Sequence, residues 1–357
     1  MVVACRAAAC ELPDRVDWAG KVDVAALWGF EIMGGERQQL AVILLNYRRP
    51  DLVLQCLESL APELRGRSDW CVVVVDNASG DDSAECIARA ISARSWGSWA
   101  RFVESPSNGG FSAGNNLGVA SVDADYYLLL NSDTIVRPAA LEHLLEAMRA
   151  QPRVGLLGPR LEDQDGAAQE SCFRYATPWS ELIAAAATAP ISRLLSRYQV
   201  ALQASPAPHD AQWISFACVM IRARVIAEVG PLDEGFFMYF EDMDYCRRSW
   251  EKGWRVRYEP SARVVHLRGG SSPVKQAFAE RRRVPRYFFA ARSRYFAKHY
   301  GGVFGVLLAN CAWLAGRAIS LARELVGNKK PHTAERHARD LWTGWLRPLA
   351  ARRRPPT

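Results

Sequence analysis

One run of residues constrains this chain more than any other. Tyr126-Tyr127-Leu128-Leu129-Leu130 is continuously apolar, stops at Asn131-Ser132-Asp133, and resumes as Thr134-Ile135-Val136. A short apolar run bounded by polar residues reads as a strand buried on both faces, the habit of parallel sheets covered by helices. Leu40 to Leu45, ending at Asn46-Tyr47, and Trp70 to Val75, ending at Asp76-Asn77-Ala78-Ser79-Gly80, have the same character. Helical spacing separates them. Pro50 to Leu60 turns Leu52, Leu54, Leu57 and Leu60 inward, and Ser83 to Ile91, Ser112 to Ser121 and Ala139 to Arg149 follow as helices, with Arg101 to Glu104 a short strand. This alternation predicts an α/β fold, Rossmann-like, with βαβ crossovers and a mostly parallel central sheet.

In such a sheet, ligands gather at the carboxyl ends of the strands. Asp133 stands at one such end, where a carboxylate can hold a hard divalent cation against phosphate oxygens. Taken alone it fits a turn equally well. Asp76 closes another strand, where it can accept from a nucleobase N–H or a ribose hydroxyl, or serve an Asx-turn before Gly80. Asn108-Gly109-Gly110-Phe111-Ser112-Ala113-Gly114-Asn115 precedes a helix and is small enough to let a ligand approach the backbone. It is neither a Walker loop nor a GxGxxG fingerprint. Further on, an aromatic run from Phe236 leads into Glu241-Asp242-Met243-Asp244 at the start of a predicted helix. The helix dipole favours ionised carboxylates there, so Asp242 is the candidate base for deprotonating a hydroxyl, with Asp244 and Glu241 orienting the helix or touching an acceptor. The plainer reading is a charged first turn. His266 ends the Val264-Val265 run and can ligate a metal as neutral imidazole, although a strand-end histidine is more often structural. Arg268 and the hydroxyls beside it could touch phosphates. Trp213 to Arg222 reads as one strand with small residues at its centre, and Trp250, Gly253 and Trp254 as core behind the acidic helix.

The 357 residues are 49% hydrophobic and 23% charged, enough apolar material for one large or two medium domains. Nine cysteines are scattered without a CxxC pair, which argues against a zinc cluster or disulfide framework and for a reducing, cytoplasmic setting. No uncharged apolar stretch reaches the roughly 18 residues of a clear membrane span. The net charge of +7 gathers late, in Arg281-Arg282-Arg283, Arg286, Arg292, Arg294 and Lys298. That pattern suits an anionic surface, and nucleic acid is disfavoured because no nucleic-acid module accompanies it. Val303 to Ala322 reads as an amphipathic helix lying either on a membrane, at the inner face of the plasma membrane, or on the body of the protein.

The ordered set Asn46-Tyr47, Asp76-Asn77-Ala78-Ser79, Asn108 to Asn116, Asn131-Ser132-Asp133 and Glu241-Asp242-Met243-Asp244 resembles the family 2 glycosyltransferases, particularly their bacterial rhamnosyltransferase-like branch. The resemblance implies a GT-A fold, a nucleotide-diphosphate sugar donor (dTDP- or UDP-linked), a divalent cation (Mg2+ or Mn2+) and transfer with inversion. It also implies a glycan or lipid-linked acceptor in cell-envelope polysaccharide synthesis, with rhamnose the favoured sugar. Residue by residue, it implies that Asp76 reads the nucleotide, that Asn46, Asn108, Gly110, Asn115 and Asn131 shape the donor site, and that Ala217 and Cys218 leave room for the sugar. Asp133 would hold the metal, and His266 would complete that site. Asn131 stands where the family motif has its first acid, so the metal site lacks one carboxylate. The expected organisation is an N-terminal extension over 1–39, a catalytic domain over 40–272, a basic helical region over 273–327 and a basic tail over 328–357. Two rivals predict different features. A sugar nucleotidyltransferase should carry a Gly-rich, Arg-containing loop where this chain has Asn46-Tyr47-Arg48-Arg49-Pro50, and a catalytically silent membrane-associated protein should not depend on Asp242.

Overall fold

The computed structural model describes residues 36–267, 273–327 and 331–350. Strands and helices alternate through the first half as β1 (Gln38–Asn46), α1 (Pro50–Leu64), β2 (Trp70–Asp76), α2 (Ser83–Ala93), β3 (Ala100–Glu104), α3 (Gly110–Ala120) and β4 (Ala124–Asn131). A turn through Ser132-Asp133 leads to β5 (Thr134–Val136), α4 (Ala140–Ala150) and β6 (Val154–Glu162). The middle comprises β7 (Cys172–Phe173), α5 (Pro178–Ala186), α6 (Ala189–Leu194), β8 (His209–Asp210), β9 (Trp213–Ile214) and β10 (Cys218–Arg222). Then come α7 (Ala223–Val229), α8 (Glu241–Glu251), β11 (Arg255–His266), α9 (Val274–Ala279), α10 (Arg286–His299), α11 (Val303–Leu325) and α12 (His337–Asp340).

The main sheet runs β3-β2-β1-β4-β10-β6-β11-β5, with β8 added on β11. The first four strands are parallel, as the apolar runs predict. Beyond β4 the sheet is mixed: β10 is antiparallel to β4 and β6, β11 is parallel to β6, and β5 is antiparallel to β11. Every residue of β2 is buried, because helices cover both faces. Ala41, Ile43, Val73, Val75, Tyr127 and Leu129 fill one layer. Leu40, Val42, Leu44, Val72, Val74, Leu128 and Leu130 fill the other. Helix α1 turns Leu52, Leu57 and Leu60 inward with Val53 and Cys56, and Leu54 sits at the margin. The expected single strand from Trp213 to Arg222 is broken at Ser215–Ala217 into β9 and β10, which join different sheets.

Of the basic residues before α11, Arg281, Arg282, Arg283 and Arg286 are exposed, as the sequence suggests, whereas Arg292, Arg294 and Lys298 turn inward. Arg292 is buried and donates to Glu181 Oε2 (2.8 Å) and Asn310 Oδ1 (2.7 Å). Arg294 pairs with Asp233, Lys298 with Asp233 and Asp244, and Arg283 with Asp340. The sheltered charges of Arg292, Arg294 and Lys298 are held only where a counter-charge offsets desolvation, and the internal carboxylates provide it. Helix α11, 23 residues long, is apolar and long enough to cross a membrane, beyond what the sequence reading allowed. One face packs tightly on α5: a Cβ on Gly316 would lie 2.4 Å from the Leu182 carbonyl oxygen.

Two contacts tie the second half to the glycine-rich turn. Phe111 N–H donates to Phe237 O (2.6 Å), and Asn116 binds Leu232 O (2.9 Å), Leu232 N (3.0 Å) and Glu234 Oε1 (3.0 Å). Gly110 has φ +84°, and a Cβ there would meet Phe237 O at 2.2 Å. Gly110→Ala is therefore expected to cost about 1–3 kcal/mol from left-handed strain and collision, read as a lowered denaturant midpoint. Gly66→Ala, at φ +76° with nothing within 4 Å, should cost less. Equal losses would show that the Phe237 contact carries no weight.

Candidate functional site

A cavity of about 580 Å³ opens at the carboxyl ends of the parallel strands. Its floor comes from the first half: Leu45 near the end of β1 and Tyr47 beyond it, Asn77 beyond β2, Asn108 and Gly110 at α3, Asn131 at the end of β4 and Ser132-Asp133 beyond it. Its opposite wall comes from the second half through Ser215-Phe216-Ala217, Phe237 to Tyr239, Glu241, Asp242 and His266.

Sheet register creates the Asp133–His266 pair. His266 is paired across from Thr134 in the β5–β11 ladder, and Leu267 N–H donates to Asp133 O (2.9 Å). This sets His266 Nε2 3.6 Å from Asp133 Oδ1. Asp133 is 1% exposed, and its Oδ1 accepts no hydrogen bond. A buried carboxylate oxygen left without a donor is costly unless a ligand satisfies it. Oxygen and imidazole donors fit a divalent cation. Among the described residues no cluster of three or more acidic, histidine or cysteine side chains completes a protein-only metal site, so further ligands would be diphosphate oxygens and water. Arg268, the other candidate for phosphate contact, lies outside the described residues along with the adjoining hydroxyls of Ser271 and Ser272.

Three carboxylates in the first turn of α8 have three environments. The turn follows Tyr239 and Phe240, both non-glycine residues at positive φ (74° and 68°). Such strain persists only where the surroundings over-determine it, and here it aims the helix N-terminus at the cavity. Asp244 is fully buried, accepting from Arg248 Nε (2.9 Å) and Lys298 Nζ (2.9 Å) and pairing with His299 Nε2 (2.8 Å). Burial alone would raise its pKa, but the His299 hydrogen bond and the Arg248 and Lys298 charges outweigh it and bring it to about 2. Asp242 has no cation partner of this kind. Burial pushes it up, backbone N–H groups of Met243, its own residue and Phe216 only partly offset this, and it comes to about 7. Glu241, enclosed and beside Asp242, is pushed well above the usual carboxylate range, and its Oε2 accepts no hydrogen bond. The sequence expectation that the helix dipole would keep Asp242 in the ordinary ionised range is corrected: desolvation exceeds the dipole. The correction suits a base, which works best with a pKa near neutrality.

Comparison with known proteins decides the family. The "Glycosyl transferase family 2" profile matches residues 41–176, and the "Glycosyl transferase family group 2" profile matches 126–331, more than half the chain. The chain belongs to the family 2 glycosyltransferases. It is 31% identical over 153 residues to an N-acetylglucosaminyl-diphospho-decaprenol L-rhamnosyltransferase of Mycobacterium tuberculosis, 42% of this chain and 48% of the relative. Rhamnosyltransferase WbbL of Escherichia coli is 25% identical, covering 44% of this chain and 60% of that protein. The match thus spans about half the length of the mycobacterial relative. Among solved structures, the mannosyltransferase PcManGT of Pyrobaculum calidifontis, in complex with GDP-Man and Mn2+, superposes with a TM-score of 0.52 at 16% identity, over 85% of this chain and 81% of that one. That likeness fixes the GT-A fold.

For a family 2 glycosyltransferase the sequence motifs converge well, with instructive exceptions. Asn108, Gly110, Asn131, Asp133, Ala217, Glu241, Asp242 and His266 all line the one cavity. Asn46 and Asp76 stand behind its wall. Asp76 Oδ1 accepts from Asn46 Nδ2 (2.6 Å) and Ser79 Oγ (2.6 Å), and its Oδ2 from Ser79 N (2.9 Å), so much of its acceptor capacity fixes the turn. Asn115 is not at the cavity: it is buried and donates to Phe111 O (2.9 Å) within α3. Cys218 is not either: it opens β10 with its side chain 1% exposed in the core, while Ala217, in the break before β10, lines the cavity. Gly110 admits the Phe237 carbonyl rather than ligand backbone contacts alone. Asp244 serves the helix and not an acceptor. Trp254 is buried, but Trp250 is 37% exposed. Sequence reasoning missed Arg49, Asn77, Phe237, Lys275 and Tyr287 as lining residues. Asn77 lay inside a quoted motif and could have been found; Lys275 and Tyr287 carry no local signal.

Two outcomes test the Asp242 environment. Transfer by the protein should rise with pH along an acid limb centred near about 7, the macroscopic value belonging to the Glu241–Asp242 pair. Because the folded pKa is raised, ionised Asp242 destabilises the fold progressively as pH rises from about 4 through 7. Asp242→Asn should then raise Tm at pH 8 and change it little at pH 4, measured by calorimetry. A stabilisation independent of pH would contradict the burial argument.

Proposed function

We propose that this protein transfers a hexosyl residue, with rhamnose the first candidate, from a nucleotide-diphosphate donor to a lipid-linked glycan acceptor, with inversion at the anomeric carbon. The observation that carries the reading is one cavity in which Asp133, whose Oδ1 accepts no hydrogen bond, lies beside His266 and shares space with Asp242, in a family 2 chain. The rhamnosyltransferase names of the mycobacterial and Escherichia coli relatives support the sugar, and the decaprenol acceptor in the former supports the acceptor class.

Asp133 and His266 would hold a divalent cation, which when bound neutralises charge on the donor diphosphate. Arg49 and Lys275 add positive charge to the same wall. Asp242 takes the proton of the acceptor hydroxyl as it attacks C1 of the sugar, opposite the leaving diphosphate. Glu241, kept neutral by burial and by Asp242, can donate as well as accept, which suits a hydroxyl of sugar or acceptor. Strained Tyr239-Phe240 fixes the base before substrate arrives.

A membrane contact is part of the proposal. Of the 13 exposed large hydrophobic residues among those described, 11 lie on α5, α6, α11 and the segment after them. On α11, Phe304, Leu308, Leu314, Ile319, Leu321 and Leu325 occupy an arc of roughly 160°, with Arg317 and Arg323 at its flanks. An apolar arc of this extent suits insertion at a bilayer surface. The helix would lie in the plane of the membrane, because its inner face holds Asn310 on Arg292 and Gly316 on α5, contacts a spanning helix would lose.

Purified protein should consume dTDP-rhamnose or another nucleotide sugar from a panel, with loss of turnover in EDTA. Asp242→Asn should lower kcat about 10²–10⁴-fold with little change in donor Kd. Full activity of that variant, or no donor consumed with any lipid-linked acceptor, would reject the mechanism. In flotation with vesicles, Phe304→Asp with Leu308→Asp should abolish membrane association while leaving transfer to a soluble acceptor intact; unchanged flotation would remove the membrane contact.

A further inference from the structure

We infer that a second cavity, separate from the transfer site, binds a phosphorylated ligand that carries a ring. This cavity, of about 640 Å³, lies along the far half of α8, between Arg247 and Trp250 of that helix, the stretch Arg174–Thr177, and Arg197-Tyr198. None of its lining residues belongs to the transfer cavity. Three guanidiniums line it, from Arg174, Arg197 and Arg247, against a single carboxylate, Glu251. Glu251 is 60% exposed at its side chain and sits 3.6 Å from Arg247 Nε, so it offsets little of the field.

The arginines are held ready for a ligand. Arg247 is sandwiched between the rings of Tyr175 (5.4 Å) and Tyr300 (5.1 Å), and Arg197 lies over Tyr198 (4.7 Å). Arg174 is steadied by Gln199 O (3.3 Å). Arg247 turns Nη1 to the Tyr295 hydroxyl (3.5 Å) and Nη2 to the His299 carbonyl (3.5 Å), so it contributes mainly charge, while Arg174 and Arg197 supply the donor edges that a phosphate group accepts bidentately. The Tyr175 ring packs against the Arg247 guanidinium and forms part of the cavity wall. Trp250 and Tyr198 provide flat apolar faces for a sugar or base ring. The volume falls in the range of small-molecule sites.

A nucleoside diphosphate and ring-free pyrophosphate share the phosphate groups and differ in the ring, so titration with both isolates what the ring contributes. With EDTA present, calorimetric titration of the full chain with uridine diphosphate and with pyrophosphate should show saturable binding, uridine diphosphate the tighter because its ring stacks. Arg174→Ala with Arg197→Ala should weaken both about tenfold or more. Arg197→Glu alone, at an exposed position, should do the same should the double variant fold poorly. Asp133→Asn should leave this metal-free binding unchanged. Equal affinity for pyrophosphate and uridine diphosphate would make the site a plain anion site and overturn the ring claim. No saturable binding in EDTA, or binding lost in Asp133→Asn and kept in the arginine variants, would overturn the site itself. Because the readout is binding without metal, its failure is distinguishable from failure of the transfer reaction.

Discussion

The cavity depends on one constraint, the entry of β10 into the sheet antiparallel between β4 and β6. β10 places Cys218 to Arg222 opposite Leu130 to Tyr126, and Asn131 N–H donates to Ala217 O at 2.9 Å. The last strand of the parallel half is thereby bonded to a strand of the second half. From that seam β6 and β11 follow in parallel, and the last residues of β11 turn back over β5. His266 reaches Asp133 only because this ladder has its observed register. A slip of one residue would turn His266 to the other face of the sheet.

Electrostatics then separates neighbours that the sequence makes equivalent. Glu241, Asp242 and Asp244 share one helical turn, yet Asp244 is surrounded by Arg248, Lys298 and His299 while Asp242 faces the cavity without such partners. Two of the three groups around Asp244 come from α10, more than fifty residues later. Helix α10 therefore helps to hold the N-terminal turn of α8 in place, and the same lysine joins Asp244 to Asp233 in the loop leading to α8. Burial costs a carboxylate its hydration, and only paired groups recover it. Asp242 does not, which is why its proton is held to near neutrality.

The same economy explains the late cluster of positive charge. Arg292, Arg294 and Lys298 meet internal carboxylates, so the outward character of this region comes from the exposed Arg281, Arg282, Arg283 and Arg286 together with the apolar arc of α11. A periodicity argument could see that α11 was amphipathic. It could not say that its inner face would be satisfied by α5, with Gly316 against the Leu182 carbonyl, and its outer face left apolar.

By itself, the sequence determined the parallel half of the sheet and most of the cavity's chemistry. Leu40 to Leu45, Trp70 to Val75 and Tyr126 to Leu130 are continuous apolar runs, and burial on both faces leaves a strand no other pattern. The polar residues that end those runs had to emerge at one edge, which made Asn131, Asp133 and the Asn108 turn legible, and ordered motifs made Asp242 and His266 legible too. Tertiary structure decided the rest. Asn115 and Cys218 turned inward because helix phase and strand alternation are set by what packs on them, and Lys275 reached the cavity from an element with no motif. The pKa of Asp242 followed from its burial at the head of α8, and that of Asp244 from His299 and Lys298 of α10 with Arg248 of α8. Hydration and counter-charge depend on distance in space, and distance in space is what a linear sequence does not contain.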